Sequence, residues 1–335
     1  MNKRILLMGG TGAMGIYLIP ELLKLGYKVD VMTLDNITSD QRELRYIQKN
    51  AMDKSVMRDI LKNKYDAIVD FMIYTTMQFA ERFEMFLENT EHYIFLSTYR
   101  VYANEEVPIK ESSPRLIDAS KDTTYQAMEE YGLFKARCEN ILFASKYQNW
   151  TIVRPAITYS KYRFQLTTLE APVFVRRAKL GLPVIVPKDA MKHSATMSWG
   201  GDVAKMISRL ILNEKAMCEA FTVATSEHQT WETIAGYYKE LLGLECILVD
   251  NDTFLKLADG MTYQLKYDRC YERIIDNSKI LSITGLSQSD LMPLKKGLKT
   301  ELDALPKDFL WGDSDMSKKM DKIIEELQGK STLSF

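Results

Sequence analysis

Short apolar runs alternate with longer amphipathic stretches along the first 155 residues of the chain. The apolar runs have the length and composition of buried strands. They cover residues 4–8, 29–33, 67–71, 92–97 and 150–153. Apolar side chains recur at helical spacing over residues 13–25, and further helices are predicted near residues 76–88 and over 124–146. This alternation predicts βαβ units, a parallel sheet and right-handed crossovers.

After residue 156 the alternation becomes less regular. Strands are predicted over residues 183–186, 220–223 and 246–249. Helices are predicted near residues 171–180, 202–213, 229–242, 252–258 and 287–304. A last helix, with Ile323, Ile324 and Leu327 along one side, is predicted in the charged tail, and the final residues are expected to fray.

The amino-acid composition indicates which classes of protein this chain resembles. Apolar residues make up 46% of the 335, which is enough for a substantial core. Lys+Arg (44) balance Asp+Glu (45), which gives no support to a nucleic-acid partner. No apolar run approaches the ~18 residues of a membrane helix, and the first run is too short for a secretion signal. We expect a cytoplasmic protein without membrane contact.

Cysteine and histidine spacing gives no metal motif. The four cysteines form no Cys-x-x-Cys pair, and the three histidines are scattered along the sequence. We therefore expect no bound metal.

A glycine-rich turn follows the first predicted strand and opens the first predicted helix. Glycines without a Cβ let such a turn bend and let its backbone approach a pyrophosphate, while the helix N-terminus offers free N–H groups. The strand before and the helix after strengthen this interpretation over that of an ordinary turn. The predicted cofactor loop comprises Gly9, Thr11, Gly12, Ala13, Met14 and Gly15.

The choice between NAD and NADP depends on the end of the second strand. Thr33 stands there, followed by Leu34, Asp35 and Asn36, and no arginine follows to take a 2′-phosphate. Asp35 would reach the ribose if the strand ran two residues longer, so the sequence favours NAD without excluding NADP. Asp53 is expected either to accept from the adenine amino group or to cap the helix near residue 54.

Several candidate residues fall at predicted strand ends. Ligands of open parallel sheets bind at the carboxyl ends of the strands, so these residues should converge on one crevice. They are Gly9, Thr33, the stretch Phe71–Tyr74, and Ser97 with Thr98. Tyr74 is expected either beside the nicotinamide or in the core.

Tyr131 and Lys135 lie one helical turn apart and suggest a proton-transfer site. A tyrosine is a poor base at neutral pH because its ordinary pKa is near ~10, and a neighbouring ammonium lowers it. Thr98 would orient the substrate oxygen. This set suits hydride transfer coupled to proton transfer at a carbon that bears a hydroxyl or carbonyl. The alternative is an amphipathic helix with a surface lysine.

These residues resemble the motifs of an extended short-chain dehydrogenase/reductase of the NAD-dependent epimerase/dehydratase type. The matching segments are residues 9–15, 95–102, 131–135, 153–156, 201–204 and 276–279, in the order of the family. The resemblance implies Tyr131 as acid/base, Lys135 as its partner and ribose ligand, and Thr98 as substrate donor. It also places Phe71, Ser97 and Pro155 among the cofactor residues.

The resemblance implies an α/β fold, with a Rossmann-type doubly wound parallel sheet and a smaller C-terminal α/β substrate domain. The cofactor domain would take residues 1–160 and about 196–226, and the substrate domain about 161–195 and 227–310. Residues 311–335 would form a C-terminal helix and tail. The resemblance further implies a homodimer through the helices near 76–88 and 124–146.

The chain departs from the family pattern at its substrate side. Tyr99 and Arg100 replace the Asp-Glu pair of 4,6-dehydratases, which argues against water elimination. Ala195 stands where epimerases of nucleotide sugars carry a diphosphate-binding arginine, with Lys192 and His193 nearby. Arginines 163, 176 and 177 are expected either at a substrate anion or in solvent.

Two hypotheses follow. The first is an NAD(P)-dependent epimerase or reductase acting on a sugar or nucleotide-sugar-like substrate. The second is a binding protein on the same fold, either a nucleotide sensor or an RNA binder, because the stretches 66–74 and 93–102 also resemble chloroplast stem-loop RNA-binding relatives. The intact Tyr131, Lys135 and Thr98 set favours the first.

Overall fold

The structure is a computed structural model that describes residues 3–332. Its strands, numbered along the chain, are β1 Arg4–Met8, β2 Lys28–Thr33, β3 Leu44–Gln48, β4 Tyr65–Asp70, β5 Thr90–Leu96, β6 Trp150–Val153, β7 Ile157–Tyr159, β8 Gln165–Leu166, β9 Leu169–Glu170, β10 Val184–Pro187, β11 Ser194–Ala195, β12 Met197–Trp199, β13 Glu219–Phe221, β14 Gln229–Thr230 and β15 Cys246–Val249.

The helices are numbered in the same way. They are α1 Gly15–Lys24, α2 Lys54–Leu61, α3 Thr76–Ala80, α4 Phe83–Leu87, α5 Leu116–Ala119, α6 Thr123–Gln126, α7 Tyr131–Phe143, α8 Ala171–Lys179, α9 Lys188–Met191, α10 Gly200–Leu210, α11 Trp231–Leu242, α12 Asn251–Leu255, α13 Thr262–Gln264, α14 Ser278–Thr284, α15 Leu294–Asp303 and α16 Asp315–Thr332. Short 3₁₀ turns include Tyr99–Val101.

The main sheet has seven parallel strands in the order β13-β6-β5-β4-β1-β2-β3. β1 pairs with β2 on one side and with β4 on the other, so the chain reverses its direction of winding at β1. This confirms the α/β, Rossmann-type doubly wound sheet expected above. In such sheets the reversal opens a crevice at the carboxyl ends of the central strands.

Successive side chains of each central strand point to opposite faces, and each face has its own core. On one face Ile5, Leu7, Val29 and Val31 pack with residues of α1, α10 and α14. On the other face the core takes in α2, α3, α4 and α7. Helices therefore cover both faces of the sheet, as the near-continuous apolar strands require.

Two of the helices predicted as single elements are divided. The stretch predicted over 124–146 forms α6 and α7, because Glu130 accepts a hydrogen bond from the backbone N–H of Gly132 and starts a new helix there. Residues 76–88 likewise form α3 and α4. The division makes Tyr131, one of the candidate site residues, the first residue of α7.

The strand β3 has no apolar run from which it could have been predicted. β3 lies at the edge of the sheet, and none of its five residues is fully buried. It pairs with β2 from Val29 opposite Leu44 to Thr33 opposite Gln48. An edge strand with partly exposed side chains lacks the continuous apolar signal of the central strands.

The chain divides into two compact units. The first takes the residues up to Thr158 together with 198–226 and 275–292; the second takes 159–197, 227–274 and the chain from Pro293 onward. Residues 275–292 thus belong with the sheet and not with the substrate domain to which we assigned them. The reason is packing, since Ile280 and Leu291 are buried in the core that also contains α10.

The second unit has short strand pairs rather than one large sheet. β10 pairs with β15 in parallel, and β11 pairs with β14 in antiparallel register. α16 packs on α8 and β10 through buried Met320, Ile323 and Ile324. Residues 333–335 of the predicted tail lie outside the described residues. Within residues 3–332, no helix combines the length and hydropathy that a membrane crossing needs.

Candidate active site

The glycine turn between β1 and α1 is held by close backbone contacts. Gly9 has φ +72°, and a Cβ there would lie 3.1 Å from Met72 Sδ. A Cβ on Gly15 would lie 2.1 Å from the carbonyl oxygen of Gly10, so no other residue fits. A Cβ on Gly12 would meet only the Gly9 oxygen, at 3.6 Å. Packing therefore requires Gly15, whereas no other part of the chain that the structure describes fills the space at Gly12.

The start of α1 suits an anion. Met14 occupies the N-cap position and makes no side-chain capping hydrogen bond to the helix. Ala13 stands just before it in the same turn. The N–H groups of a helix start are unsatisfied within the helix and carry the positive end of its dipole. The turn thus has the form of a pyrophosphate cradle.

Asp35 lies over this turn, although β2 ends at Thr33 and does not run two residues longer. The Asp35 Oδ2 atom accepts hydrogen bonds from the hydroxyls of Thr11, at 2.8 Å, and of Thr33, at 3.0 Å. The backbone N–H of Asp35 also donates to Thr33 Oγ1. These bonds bring a carboxylate to the glycine turn without any extension of the strand.

Asp53 is the N-cap of α2. Its Oδ1 atom accepts from the Ser55 hydroxyl at 2.7 Å and from the backbone N–H groups of Ser55 and Val56. These hydrogen bonds, the hydroxyl foremost, lower the pKa of Asp53. The capping interpretation is therefore confirmed, and a contact with adenine stays a prediction.

Tyr74 is a core residue. Its side chain is 1% exposed, its hydroxyl donates to Asp70 Oδ1 at 3.3 Å, and the Arg82 guanidinium lies 4.8 Å from its ring centroid. The structure thus supports the core alternative over a place beside nicotinamide. Asp70 itself is fully buried, and burial raises its pKa to about 6.

Lys135 joins the ends of β4 and β5. Its Nζ atom donates to the carbonyl oxygens of Leu96, at 2.6 Å, and of Met72, at 3.3 Å. The side chain is 1% exposed, and burial lowers its pKa to about 8. A Cβ on Gly9 would lie 3.1 Å from Met72 Sδ and 3.7 Å from Phe71 Cβ, so the glycine turn and the buried ammonium both lie close to Met72. Lys135 is not a surface lysine.

Thr98 and Tyr131 are linked through Arg100. Thr98 Oγ1 accepts from the backbone N–H of Arg100 at 3.2 Å. The Arg100 guanidinium carbon lies 5.3 Å from the centroid of the Tyr131 ring, and its Nη2 atom forms an ion pair with Glu130. The two proposed catalytic side chains are therefore held around one arginine. Sequence reasoning treated Arg100 only as a departure from the family pattern.

Ser97 belongs to a buried polar network that sequence reasoning missed. Its hydroxyl donates to Glu139 Oε1 at 2.5 Å, and Arg154 donates to both Glu139 oxygens at 2.8 and 2.7 Å. All three side chains are buried. A role of Ser97 in cofactor binding would therefore fall on its backbone. Glu139 stands one turn after Lys135 on α7, and that spacing was the available signal.

Pro155 lies beside the same region. Its carbonyl oxygen accepts from the backbone N–H of Tyr99 at 3.0 Å. The residue is buried at the end of β6, next in the sheet to β5. Contact of Pro155 with a cofactor stays a prediction.

The arginines considered for substrate binding have other partners. Arg176 donates to the Trp311 carbonyl oxygen, and Arg177, which is 1% exposed, forms an ion pair with Asp321 at 2.7 Å. They hold the C-terminal segment onto α8 and are not solvated at the surface. Arg163 is exposed.

His193, a possible replacement for the missing diphosphate-binding arginine, faces a carboxylate. Its Nδ1 atom lies 2.7 Å from Glu272 Oε1, and the Ser194 backbone N–H donates to the other Glu272 oxygen. A carboxylate at this place would repel a phosphate. The geometry does not favour His193 in that role.

Comparison with known proteins agrees with this geometry. The model of the NAD dependent epimerase/dehydratase family matches residues 5–224. The chloroplast stem-loop binding protein of 41 kDa b from Arabidopsis thaliana is 26% identical over 255 residues, which cover 70% of this chain. The match spans 62% of that relative's length.

Solved structures share the fold. The UDP-glucuronic acid 4-epimerase from Bacillus cereus, in complex with UDP-glucuronic acid and NAD, superposes with a TM-score of 0.68 at 14% identity. The UDP-glucose 4-epimerase of Thermus thermophilus, in complex with NAD, gives 0.64 at 16%. Each comparison covers 90% of this chain and 98% of the other. The sheet, the glycine turn and the family match lead to one conclusion: this chain belongs to the NAD-dependent epimerase/dehydratase family.

Proposed function

We propose that the protein is an NAD(P)-dependent epimerase or reductase that acts at a hydroxyl or keto carbon of a sugar or nucleotide-sugar-like substrate. The observation that carries the proposal is the buried Lys135 ammonium at the ends of β4 and β5, one helical turn from Tyr131 and next to the glycine turn. A surface helix would not place a lysine there, since burying a charge is costly without a role or a partner.

The residues of the turn fit a dinucleotide. The open space at Gly12 and the start of α1 would receive the pyrophosphate, and Asp35 would accept from the ribose hydroxyls. A carboxylate at this position would repel a 2′-phosphate, so NAD is the preferred cofactor. The NAD in the two epimerase complexes agrees with this preference.

Three side chains have separate roles in the proposed proton transfer. Bound nicotinamide would supply the hydride acceptor or donor. Tyr131 Oη would take the proton of the substrate hydroxyl during oxidation and return it during reduction. Because Thr98 Oγ1 accepts from Arg100, its own O–H proton can be donated to the substrate oxygen. Lys135 would bind the ribose through its ammonium, and its positive charge would favour the phenolate.

The proposed substrate class follows from similarity to known epimerases, and the side chains near the position of the missing arginine limit how far that similarity extends. The named epimerases act on UDP-sugars, which suggests a nucleotide sugar. Ala195 and the His193–Glu272 pair offer no evident diphosphate clamp. We therefore propose a sugar-like substrate and do not require a nucleotide on it.

The first experiment asks what the purified protein carries. After denaturation, released nucleotide is identified by mass spectrometry. Retained NAD supports an epimerase that regenerates its cofactor on the protein, whereas an empty protein that binds NADH or NADPH in titration supports an exchanging reductase. If no dinucleotide is retained or bound, the proposal is wrong.

The second experiment tests Tyr131. Candidate sugars and UDP-sugars are screened by nicotinamide absorbance and by NMR of the sugar. Tyr131→Phe should lower turnover by ~10²–10⁴-fold, the usual share of a general acid/base. Tyr147→Phe is the matched control, because the Tyr147 hydroxyl donates to Glu88 and has no proposed role in the reaction. Equal turnover of both variants would contradict the role of Tyr131.

RNA binding is the second candidate, because the Arabidopsis relative is named as a stem-loop binding protein. A stem-loop RNA titration at low and high salt tests it. Specific binding with a steep salt dependence would support this function, since phosphate contacts release counterions. We favour the enzyme because of the Lys135 and Tyr131 arrangement.

A further inference from the structure

We propose that Arg100 is a positioning residue that holds Tyr131 in place beside Thr98 and presents a positive charge to the tyrosine ring. This inference rests on the proposed function, because it concerns the proposed acid/base. It adds a residue that the family resemblance does not assign, since at this position the chain departs from the family pattern.

Four contacts of Arg100 connect the two elements that carry Thr98 and Tyr131. Its backbone N–H donates to Thr98, and its guanidinium lies over the Tyr131 ring. Its Nη2 atom forms an ion pair with Glu130, whose side chain and that of Arg100 are each 14% exposed. Its carbonyl oxygen lies 2.9 Å from where a Cβ on Gly132 would be. The start of α7 is thus seated directly on the turn 99–101.

Glu130 makes this arrangement rigid. Its Oε2 atom accepts from the backbone N–H of Gly132 at 2.8 Å and from the Tyr125 hydroxyl at 3.1 Å. The carboxylate therefore caps the helix with one oxygen and binds Arg100 with the other. Movement of Arg100 would disturb both the cap and the place of Tyr131.

Of four charged groups at and near the start of α7, two adjoin Tyr131 and two are bound to other groups. Arg100 faces the ring, and Glu130 directly precedes the tyrosine at the helix start. Glu129 is occupied by Arg137 and by the Thr76 hydroxyl of α3. The Lys135 ammonium donates to two backbone carbonyl oxygens at the strand ends.

A cation over an aromatic ring is attracted to its face, and a positive charge nearby also favours the phenolate over the phenol. Because the Lys135 ammonium is already bound to carbonyl oxygens, Arg100 shares with it the electrostatic task that the family resemblance assigns to the lysine alone. The chain thus uses Arg100 for a purpose different from the Asp-Glu chemistry of the dehydratases.

The experiment follows Tyr131 directly and needs no substrate. The tyrosine ring carbons are labelled with ¹³C, and Tyr131 is assigned by the signal that Tyr131→Phe removes. Arg100→Met should move the Tyr131 titration to higher pH by roughly one unit, the lower end of the effect of an opposite charge at this distance. Arg100→Lys, which keeps the charge, should shift the Tyr131 titration less than Arg100→Met does. A role in packing alone would not be rescued by charge.

Arg137→Met is the matched control. Arg137 belongs to the same helix, and its guanidinium binds Glu129 and the Met128 carbonyl oxygen just before the helix start. The variant should leave the Tyr131 titration unchanged. If Arg100→Met also leaves it unchanged, or if Arg137→Met shifts it equally, the inference is wrong.

A further variant covers the case in which Arg100→Met does not fold. Glu130→Gln keeps an acceptor for the helix cap and keeps Arg100, so the Tyr131 titration should move to lower pH; no shift would contradict the arrangement. Cofactor binding is measured on the same samples. A shifted titration in a protein that binds no dinucleotide would overturn the proposed function while leaving the Arg100 contact established.

Discussion

At the scale of single residues, the candidate side chains at the strand ends have different hydrogen-bond partners. Lys135 is buried between two strand ends, whereas Tyr74 and Ser97 are engaged with Asp70 and Glu139. A tyrosine or serine at a strand end looks the same in sequence whether it points to a ligand or to a buried acid. The partner decides: it lies four residues away for Tyr74 and in a separate segment, α7, for Ser97.

Asp35 should determine the choice of cofactor. We expect Asp35→Ala to weaken NADH binding roughly tenfold and NADPH binding much less, because a charged hydrogen-bond acceptor is lost and the repulsion of a 2′-phosphate disappears. Fluorescence titration with both cofactors measures the ratio. Asp40→Ala, an exposed acid in the following loop, is the control. An unchanged ratio in Asp35→Ala would contradict the prediction.

His92 should make stability depend on pH. Its ring bonds the Thr151 hydroxyl and the backbone N–H of Leu212, and burial lowers its pKa from 6.5 to about 4. Between these values the unfolded chain binds a proton that the folded chain does not. The stabilising contribution of His92 should therefore be fully present above pH ~6.5. The free energy of unfolding should fall by about 3 kcal/mol as the pH drops to about 4.

Denaturant unfolding across this range checks the His92 prediction. His92→Gln keeps a donor and an acceptor but does not titrate, so its acid loss should be smaller by that amount. His228→Gln, at a less buried position, should behave like the parent protein. The same acid loss in His92→Gln as in the parent would show that other groups cause it.

At the scale of elements, two glycines of the turn between β1 and α1 are expected to have different roles, one in packing and one in ligand binding. Gly15→Ala should destabilise the protein by ~2 kcal/mol or more, because its Cβ would overlap the Gly10 carbonyl. Gly12→Ala should keep the thermal midpoint and weaken dinucleotide binding at least ~10-fold, since its Cβ would occupy the ligand space.

Thermal melts and cofactor titration on both glycine variants distinguish the two effects. Gly236→Ala in α11 is the control, because a Cβ there meets nothing within 4 Å. If Gly12→Ala bound NAD as the parent does, the turn would not be the pyrophosphate site.

The central strands of the sheet were predicted well, whereas the edge strand β3 was missed and the helix bounds were less accurate. The central strands are buried on both faces, so their continuous apolar runs appear in the sequence. The break before α7 depends on Glu130, whose carboxylate caps the helix while it binds Arg100. Because α7 is buried on most of its sides, the apolar pattern does not mark where this helix begins, and the pattern alone cannot show the cap.

At the scale of the whole molecule, we expect a homodimer through α3 and α7. The two helices are in contact, and Met77 on α3 is 73% exposed while Phe143 on α7 is 47% exposed. Met77→Lys should convert the dimer to a monomer, because a charge would be buried in the interface. Light scattering measures this, and Leu25→Lys at the end of α1 is the control. A dimer that survives Met77→Lys would exclude α3 from the interface.

From the sequence alone, the alternation of the central strands with helices in the first half of the chain and the glycine turn could be predicted, and Tyr131, Lys135 and Thr98 could be named as candidate site residues. These depend on local periodicity, on the absence of a Cβ and on residue spacing, all of which are properties of short segments. The family resemblance could be stated for the same reason, since its motifs are short and occur in order.

Which of these residues face each other became clear only from the packing of the elements. This packing placed 275–292 with the sheet through Ile280 and Leu291, paired Ser97 with Glu139, and set Arg100 against Tyr131. These contacts join segments far apart in sequence. Their formation depends on how the elements pack, because burial requires each polar group to find a partner wherever the fold provides one.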